Sequence, residues 1–201
     1  MASSRFAFLA ASLAVLILAT SSCAFARIHA APVVKPLVCK ASSLKSLGYT
    51  KSVQLTSGVT LHWSLTAAKD GINAAILANK GSGGEKGWIS VGWTATRGKM
   101  CNSEVVVGNL PAPNAVQAYK MTNKVFPSAG IQTTTDVALS ATSVTGTTPA
   151  GGKIVKFTRT GAGNLAPVNY TGINNLIWAF AKTQAFGYHS KRGSAVVNFG
   201  C

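Results

Sequence analysis

The chain has 201 residues, of which 19 are Lys or Arg and only four are acidic, giving a formal net charge of +15. That length and a hydrophobic share of 47% suit one domain with a real core. Asp70, Glu85, Glu104 and Asp136 are too scattered to offer an evident carboxylate pair for acid–base catalysis, and the basic balance points to anionic partners.

Residues 1–26 read as a signal peptide. Arg5 supplies the positive n-region, Phe6 to Ala19 is almost wholly apolar, and Ala24-Phe25-Ala26 gives the small-x-small cleavage pattern. The apolar run is too short for a membrane span. Residues 27–38, with Pro32 and Pro36, read as a loose leader, and residues 39–201 as one domain. The expected product is secreted to the extracellular space or apoplast, without a membrane span. Its basic residues stand singly along the chain, and an exported protein seldom meets nucleic acid, so nucleic acid is not expected as a partner. Cys39, Cys101 and Cys201 follow the cleavage site. Export makes one disulfide plausible, Cys39 with Cys201 or Cys39 with Cys101, and the odd count leaves one thiol over.

Strand signals then dominate in chain order. Val53 to Leu55, Val59 to Leu65, Ile72 to Ala78, Trp88 to Thr94 and Glu104 to Val107 are short runs rich in β-branched and aromatic residues. Val116 to Met121, Ile154 to Thr158, Leu176 to Phe180 and Ala195 to Phe199 continue the series. Leu61-His62-Trp63-Ser64-Leu65 alternates as one face of a half-buried strand requires. Lys69-Asp70-Gly71 reads as a tight hairpin turn, and Gly81-Ser82-Gly83-Gly84 as a flexible loop. Within the Thr/Ser-rich stretch Thr133 to Gly152, Val137, Leu139 and Val144 suggest one or two weak strands. Many short strands with frequent turns and no helical period predict an all-β antiparallel sandwich.

Familiar enzyme motifs are missing. There is no Gly-rich phosphate loop, no CxxC pair, no HExxH run and no GxSxG elbow. The possible nitrogen and thioether ligands are few: His29, His62 and His189, with Met100 and Met121. His29 lies in the leader and His62 alternates with core residues. Met100 and His189 each lie just past an aromatic-rich strand. Trp63, Trp88, Trp93 and Trp178 are expected in the core, with one or two lining a pocket.

Gly87-Trp88-Ile89-Ser90-Val91-Gly92-Trp93 followed by Met100 and Glu104-Val105-Val106-Val107 resembles the DOMON family pattern. Ile177-Trp178-Ala179-Phe180 followed by Tyr188-His189-Ser190-Lys191-Arg192-Gly193 is similar to that family's second motif, and Leu61-His62-Trp63 to its early Leu-x-Trp strand. The resemblance spans roughly residues 39–200. It implies an immunoglobulin-like β-sandwich holding a b-type haem between one methionine and one histidine, here Met100 and His189. With both axial positions filled the haem has no open site for oxygen, so the implied role is a one-electron carrier and not a turnover enzyme. No CxxCH motif would attach the haem covalently. Arg97, Lys191 and Arg192, with Lys99, are candidates to meet the haem propionates or an anionic redox partner. Small reductants such as ascorbate, quinones or superoxide and a separate redox protein are the expected partners.

Lys99 and Cys101 depart from the small or apolar residues usual around the methionine, which makes Cys101 either a competing thiolate candidate or a thiol open to oxidation to a disulfide. Only Cys39 remains of the N-terminal cysteine pair common in plant members. Met121 with His62 is the second-choice ligand pair. The rival expectation is a haem-free module binding cell-wall polysaccharide or another anionic glycan. Asn169-Tyr170-Thr171 is an N-glycosylation sequon, consistent with export under both readings.

Overall fold

Each of the nine runs rich in β-branched and aromatic residues forms a strand in the computed structural model, which describes residues 34–112, 115–122, 131–133, 139–147, 151–161 and 165–201. The expected signal peptide, the first part of the leader and Val137 lie outside the described residues. The strands are β1 (Lys40–Ala41), β2 (Lys51–Thr56), β3 (Val59–Leu65), β4 (Gly71–Ala78), β5 (Ile89–Thr94) and β6 (Ser103–Gly108). They continue with β7 (Val116–Met121), β8 (Ile131–Thr133), β9 (Leu139–Thr147), β10 (Lys153–Thr160), β11 (Ile173–Phe180) and β12 (Lys191–Asn198). The only helical piece among the described residues is a 3-10 turn at Lys45–Leu47. β9 is the strand suggested by Leu139 and Val144. It pairs with β10 through two register shifts.

Two antiparallel sheets result, in the orders β1-β2-β3-β4-β10-β9 and β12-β11-β5-β6-β7-β8. The all-β sandwich expected from the strand pattern is the observed architecture. Alternation decides which side chains enter it. Leu61 and Trp63 from β3, Ile76 from β4 and Phe157 from β10 meet Val91 and Trp93 from β5, Leu176 from β11 and Val197 from β12 in one core. Edge-on contacts join the sheets, Trp63 with Phe199 at 5.3 Å and Trp93 with Phe157 at 6.2 Å between ring centroids.

The ends of the domain are tied together. Cys39 and Cys201 form a disulfide with a Cα–Cα distance of 6.3 Å, and the Leu37 amide bonds the Val196 carbonyl at 2.8 Å. In the full 201-residue chain Cys101 is disulfide-bonded as well, the second of the two outcomes open to it, and no free thiol remains among the described residues.

Two turns follow from local chemistry. Lys69 adopts a φ of 58° in the β3–β4 hairpin, whose Asp70 carboxylate accepts a bond from the Thr66 hydroxyl at 2.9 Å. The Gly81–Gly84 segment was expected to be flexible, yet it wraps a carboxylate. Glu85 accepts bonds from the amides of Gly81 (3.1 Å) and Gly83 (2.7 Å) and from the Ser82 hydroxyl (3.3 Å). Burial acts to raise the Glu85 carboxyl, but these bonds and its own amide outweigh it and hold the group below its usual range.

Candidate functional site

β5 and β6 are buried at every position, although a strand in a two-layer sandwich needs to be buried on one face only. Uninterrupted runs such as Val105-Val106-Val107 are the sequence signature of a strand covered on both sides. Val106 enters the sandwich core, while Val105 and Val107 belong to a second apolar cluster on the outer face of the sheet, with Trp88, Met121 and Ala181. Met100, Ile177, Ala179 and Phe186 pack against it.

Two loops cover this outer face, and strand register shows that they start from opposite ends of it. Trp93 pairs with Leu176 and Ile89 with Phe180, so the β5–β6 loop leaves at one end and the β11–β12 loop at the other. The β5–β6 loop is pinned through its own polar groups. The Thr94 hydroxyl lies within bonding distance of the Thr96 and Lys99 carbonyls (2.9 and 2.7 Å), and the fully buried Ser103 hydroxyl donates to the Met100 carbonyl. Gly98 and Asn102, both at positive φ, let the loop fold back. A Cβ on Gly98 would lie 3.6 Å from Ser194 Oγ, which places the loop beside β12.

The β11–β12 loop is held by backbone bonds to the start of β5. The Trp88 amide donates to Thr183 O (3.0 Å), and the Ala181 amide to Trp88 O (2.9 Å). Approach is closest at Gly87, where a Cβ would lie 2.2 Å from Ala181 O. Further along, Phe186 stacks on Tyr119 at 4.7 Å and meets Trp88 edge-on at 5.5 Å.

Between the loops and the sheet lies a cavity of about 710 Å³, and both Met100 and His189 line it. Its floor is apolar, from Val105, Val107, Met121, Ile177 and Ala179. Phe186 and Tyr188 line it from the His189 loop, and Lys99 from the Met100 loop. Sites for cofactors and similar molecules run from about 300 to 1,000 Å³. Arg192 also lines it, with Nη1 3.4 Å from His189 Nε2. A guanidinium only donates, so this contact suits an imidazole with its lone pair on Nε2. Trp88 and Trp178 line the cavity too, and their buried indole N–H groups have no acceptor.

The expected residues therefore divide. Met100, His189 and Arg192 come together from distant parts of the sequence, joined by Lys99. Arg97 and Lys191 are exposed and do not line the cavity. The second-choice pair is not assembled: Met121 is in the cavity floor, but His62 is buried on β3 of the other sheet. There His62 Nδ1 bonds the Ser42 hydroxyl at 2.8 Å, and burial pushes its pKa down to about 4. Trp63 and Trp93 are core residues, as expected. Trp88 and Trp178 are the tryptophans that line the cavity, in keeping with the expectation that one or two of the four would, whereas Phe186 was missed because nothing in its neighbourhood distinguishes pocket from core. Among the described residues no group of three or more His, Cys, Asp or Glu side chains is placed to chelate a metal. No helix of the described chain is long and apolar enough to cross a membrane.

The fold and site together define a β-sandwich with a roofed, largely apolar cavity on the outer face of one sheet. Comparison with protein-family models and with curated proteins gave no match.

Proposed function

We propose that the protein is a secreted, DOMON-type electron carrier that binds haem b through Met100 and His189. The observation that carries this reading is the convergence of these two residues on one cavity, on loops reaching it from opposite ends of the sheet. A porphyrin brings four nitrogen donors of its own, so two protein ligands complete the iron, and a larger chelating cluster is not needed. The apolar floor suits the macrocycle, and Lys99 and Arg192 suit its carboxylates.

When bound, such a group would supply reversible one-electron chemistry, tuned upward in potential by a thioether ligand. The chain's own residues would do the rest. Ser103 fixes the Met100 backbone, and the bonds between Trp88, Ala181 and Thr183 anchor the loop that carries His189. Phe186, packed between Tyr119 and Trp88, would give the group an apolar wall. The Cys39–Cys201 disulfide is compatible with an extracellular location, where ascorbate, quinones or superoxide and a second redox protein would be the partners.

The test is the visible spectrum of the oxidised and dithionite-reduced protein, expressed with haem available. A sharp low-spin α-band is expected, lost in Met100→Ala and in His189→Ala while the far-ultraviolet circular dichroism stays that of a β-protein. Unchanged spectra in both variants would sink the ligand assignment. Colourless, folded protein that is held on pectin and released by salt would replace the reading with that of an anionic-glycan module.

A further inference from the structure

Of the chain's asparagines only Asn169 is followed by a residue other than proline and then by a hydroxyl residue, here Tyr170 and Thr171. Such an acceptor sequence carries chemistry only where the fold presents it, and the loop before β11 does so. Asn169 and Thr171 are exposed, while Tyr170 between them is buried, its hydroxyl donating to the Gly161 carbonyl at 2.7 Å. The buried ring anchors the turn and its two neighbours are left at the surface.

The acceptor side chain is held through one of its two polar atoms. Asn169 Oδ1 accepts bonds from the Thr171 amide at 3.2 Å and the Thr171 hydroxyl at 3.4 Å, a turn in which the asparagine side chain stands in for a backbone carbonyl. Asn169 Nδ2 has no acceptor among the described residues. Gly172 leaves room for it, since a Cβ there would lie 2.4 Å from Nδ2 and 2.8 Å from Cγ. The buried Asn174 clamps the backbone of the turn. Its Nδ2 donates to the carbonyls of Asn169 (2.6 Å) and Gly172 (2.9 Å), and its Oδ1 accepts from the Asn169 amide (2.8 Å). The Phe199 amide, just past β12, donates to the Gly172 carbonyl at 2.9 Å. No residue of this turn lines the cavity.

We infer that Asn169 is the attachment site of an N-linked oligosaccharide. This rests on the export part of the proposed function and not on haem. The donor is a lipid-linked oligosaccharide pyrophosphate, met by a chain that enters the secretory path. Asn169 Nδ2 bonds to the anomeric carbon of the first sugar as that carbon's bond to the pyrophosphate oxygen breaks. The lipid pyrophosphate leaves with the electron pair, the amide nitrogen gives up one proton, and nothing is oxidised or reduced. The folded turn accommodates the product. The nitrogen that would carry the sugar makes no bond within the described fold, whereas the bonds that hold the turn use Oδ1 and the backbone.

The experiment expresses the full chain in a eukaryotic secretory host and treats the protein from the medium with peptide N-glycosidase in heavy-oxygen water. A single removable oligosaccharide is expected, and its release should leave a heavy-oxygen-labelled aspartate at position 169, mapped by mass spectrometry. Asn169→Asp keeps the oxygen that holds the turn and should lose the sugar with circular dichroism unchanged. Thr171→Ala should lose it too, and Thr171→Ser should keep it. Secreted protein with Asn169 bare would overturn the inference and leave export standing. Protein found only inside the cell and unmodified would overturn the export reading and the inference together. A sugar that persists in Asn169→Asp would place the attachment elsewhere and overturn the assignment. Haem content is scored on the same samples, so glycosylated but colourless protein would defeat the cytochrome reading and leave the Asn169 site standing.

Discussion

Arg159 on β10 donates a charge-assisted hydrogen bond to the Glu104 carboxylate on β6, an ion pair that joins the two sheets inside the sandwich. Both side chains are almost wholly buried. The Leu165 amide reaches the other Glu104 oxygen at 3.4 Å, and the guanidinium lies 4.8 Å from the centre of the Trp93 ring. A buried charge is tolerable only when paired and hydrogen-bonded, so removing one partner leaves the other stranded. Glu104→Gln or Arg159→Met is expected to cost about 3–5 kcal/mol, read from the denaturation midpoint. Replacing both residues together by apolar ones of similar volume is expected to cost much less than the sum of the single changes.

His62 gives the fold a directional response to acid. Its folded-state pKa of about 4 lies below the usual 6.5, because burial disfavours the charged ring. Between those two values the unfolded chain holds a proton that the folded one does not. Stability therefore falls as pH drops from about 6.5 toward about 4, by about 3 kcal/mol in total. Urea titrations across this range should show the slope, and His62→Gln should flatten it. An equal slope in both proteins would move the cause elsewhere. Glu85, held below its usual range, acts in the same direction at lower pH, since protonating it breaks the bonds from Gly81 and Gly83.

Gly87 is a steric requirement of the site. A Cβ there would meet backbone atoms at 2.2 to 2.5 Å, the Ala181 carbonyl and the Thr183 amide and carbonyl. Gly87→Ala should push the His189 loop away from β5 and lower stability by about 1–3 kcal/mol, and under the proposed electron-carrier function it should also reduce haem retention. Gly187→Ala, in the same loop, would find only Ala185 O at 4.0 Å and is the control expected to be near neutral. Thermal melts and the haem-to-protein ratio after gel filtration check both variants.

The Cys39–Cys201 bridge spans 162 residues of sequence. Closing so long a loop restricts the unfolded chain, and losing the bridge is expected to cost about 2–5 kcal/mol. Cys39→Ser with Cys201→Ser should lower the guanidinium midpoint accordingly, with little change in the circular dichroism of the folded state.

The architecture was legible where physics is local. Period-two alternation in Leu61 to Leu65, and turn chemistry at Lys69-Asp70-Gly71, need only a few neighbouring residues. Leu61, Trp63 and Leu65 share the core face and the turn forms, although His62 on the other face is buried too. The register shifts between β9 and β10 were not legible, because Thr, Ser and Gly carry little facial pattern. Met100 and His189 were singled out through family resemblance, and the residues alone offered only their scarcity. Their convergence depends on two loops crossing the same sheet face from opposite ends, which no sequence window contains. The one local hint was Val105-Val106-Val107, a strand apolar on both sides in a sandwich that should need only one. The pairing of Arg159 with Glu104 was not legible, because a contact across two sheets leaves no trace in spacing.

The bridge between Cys39 and Cys201 also makes the domain a covalent ring, with Cα atoms 6.3 Å apart where the ring closes. Ring topology frees the chain from its particular starting point. A short peptide linker could replace the bridge and new termini could open in the exposed turn at residues 67–70, giving a circular permutant with the same sheets and the same roofed cavity. A protease cut in that turn would, by the same logic, leave two fragments that travel together until a reductant parts them.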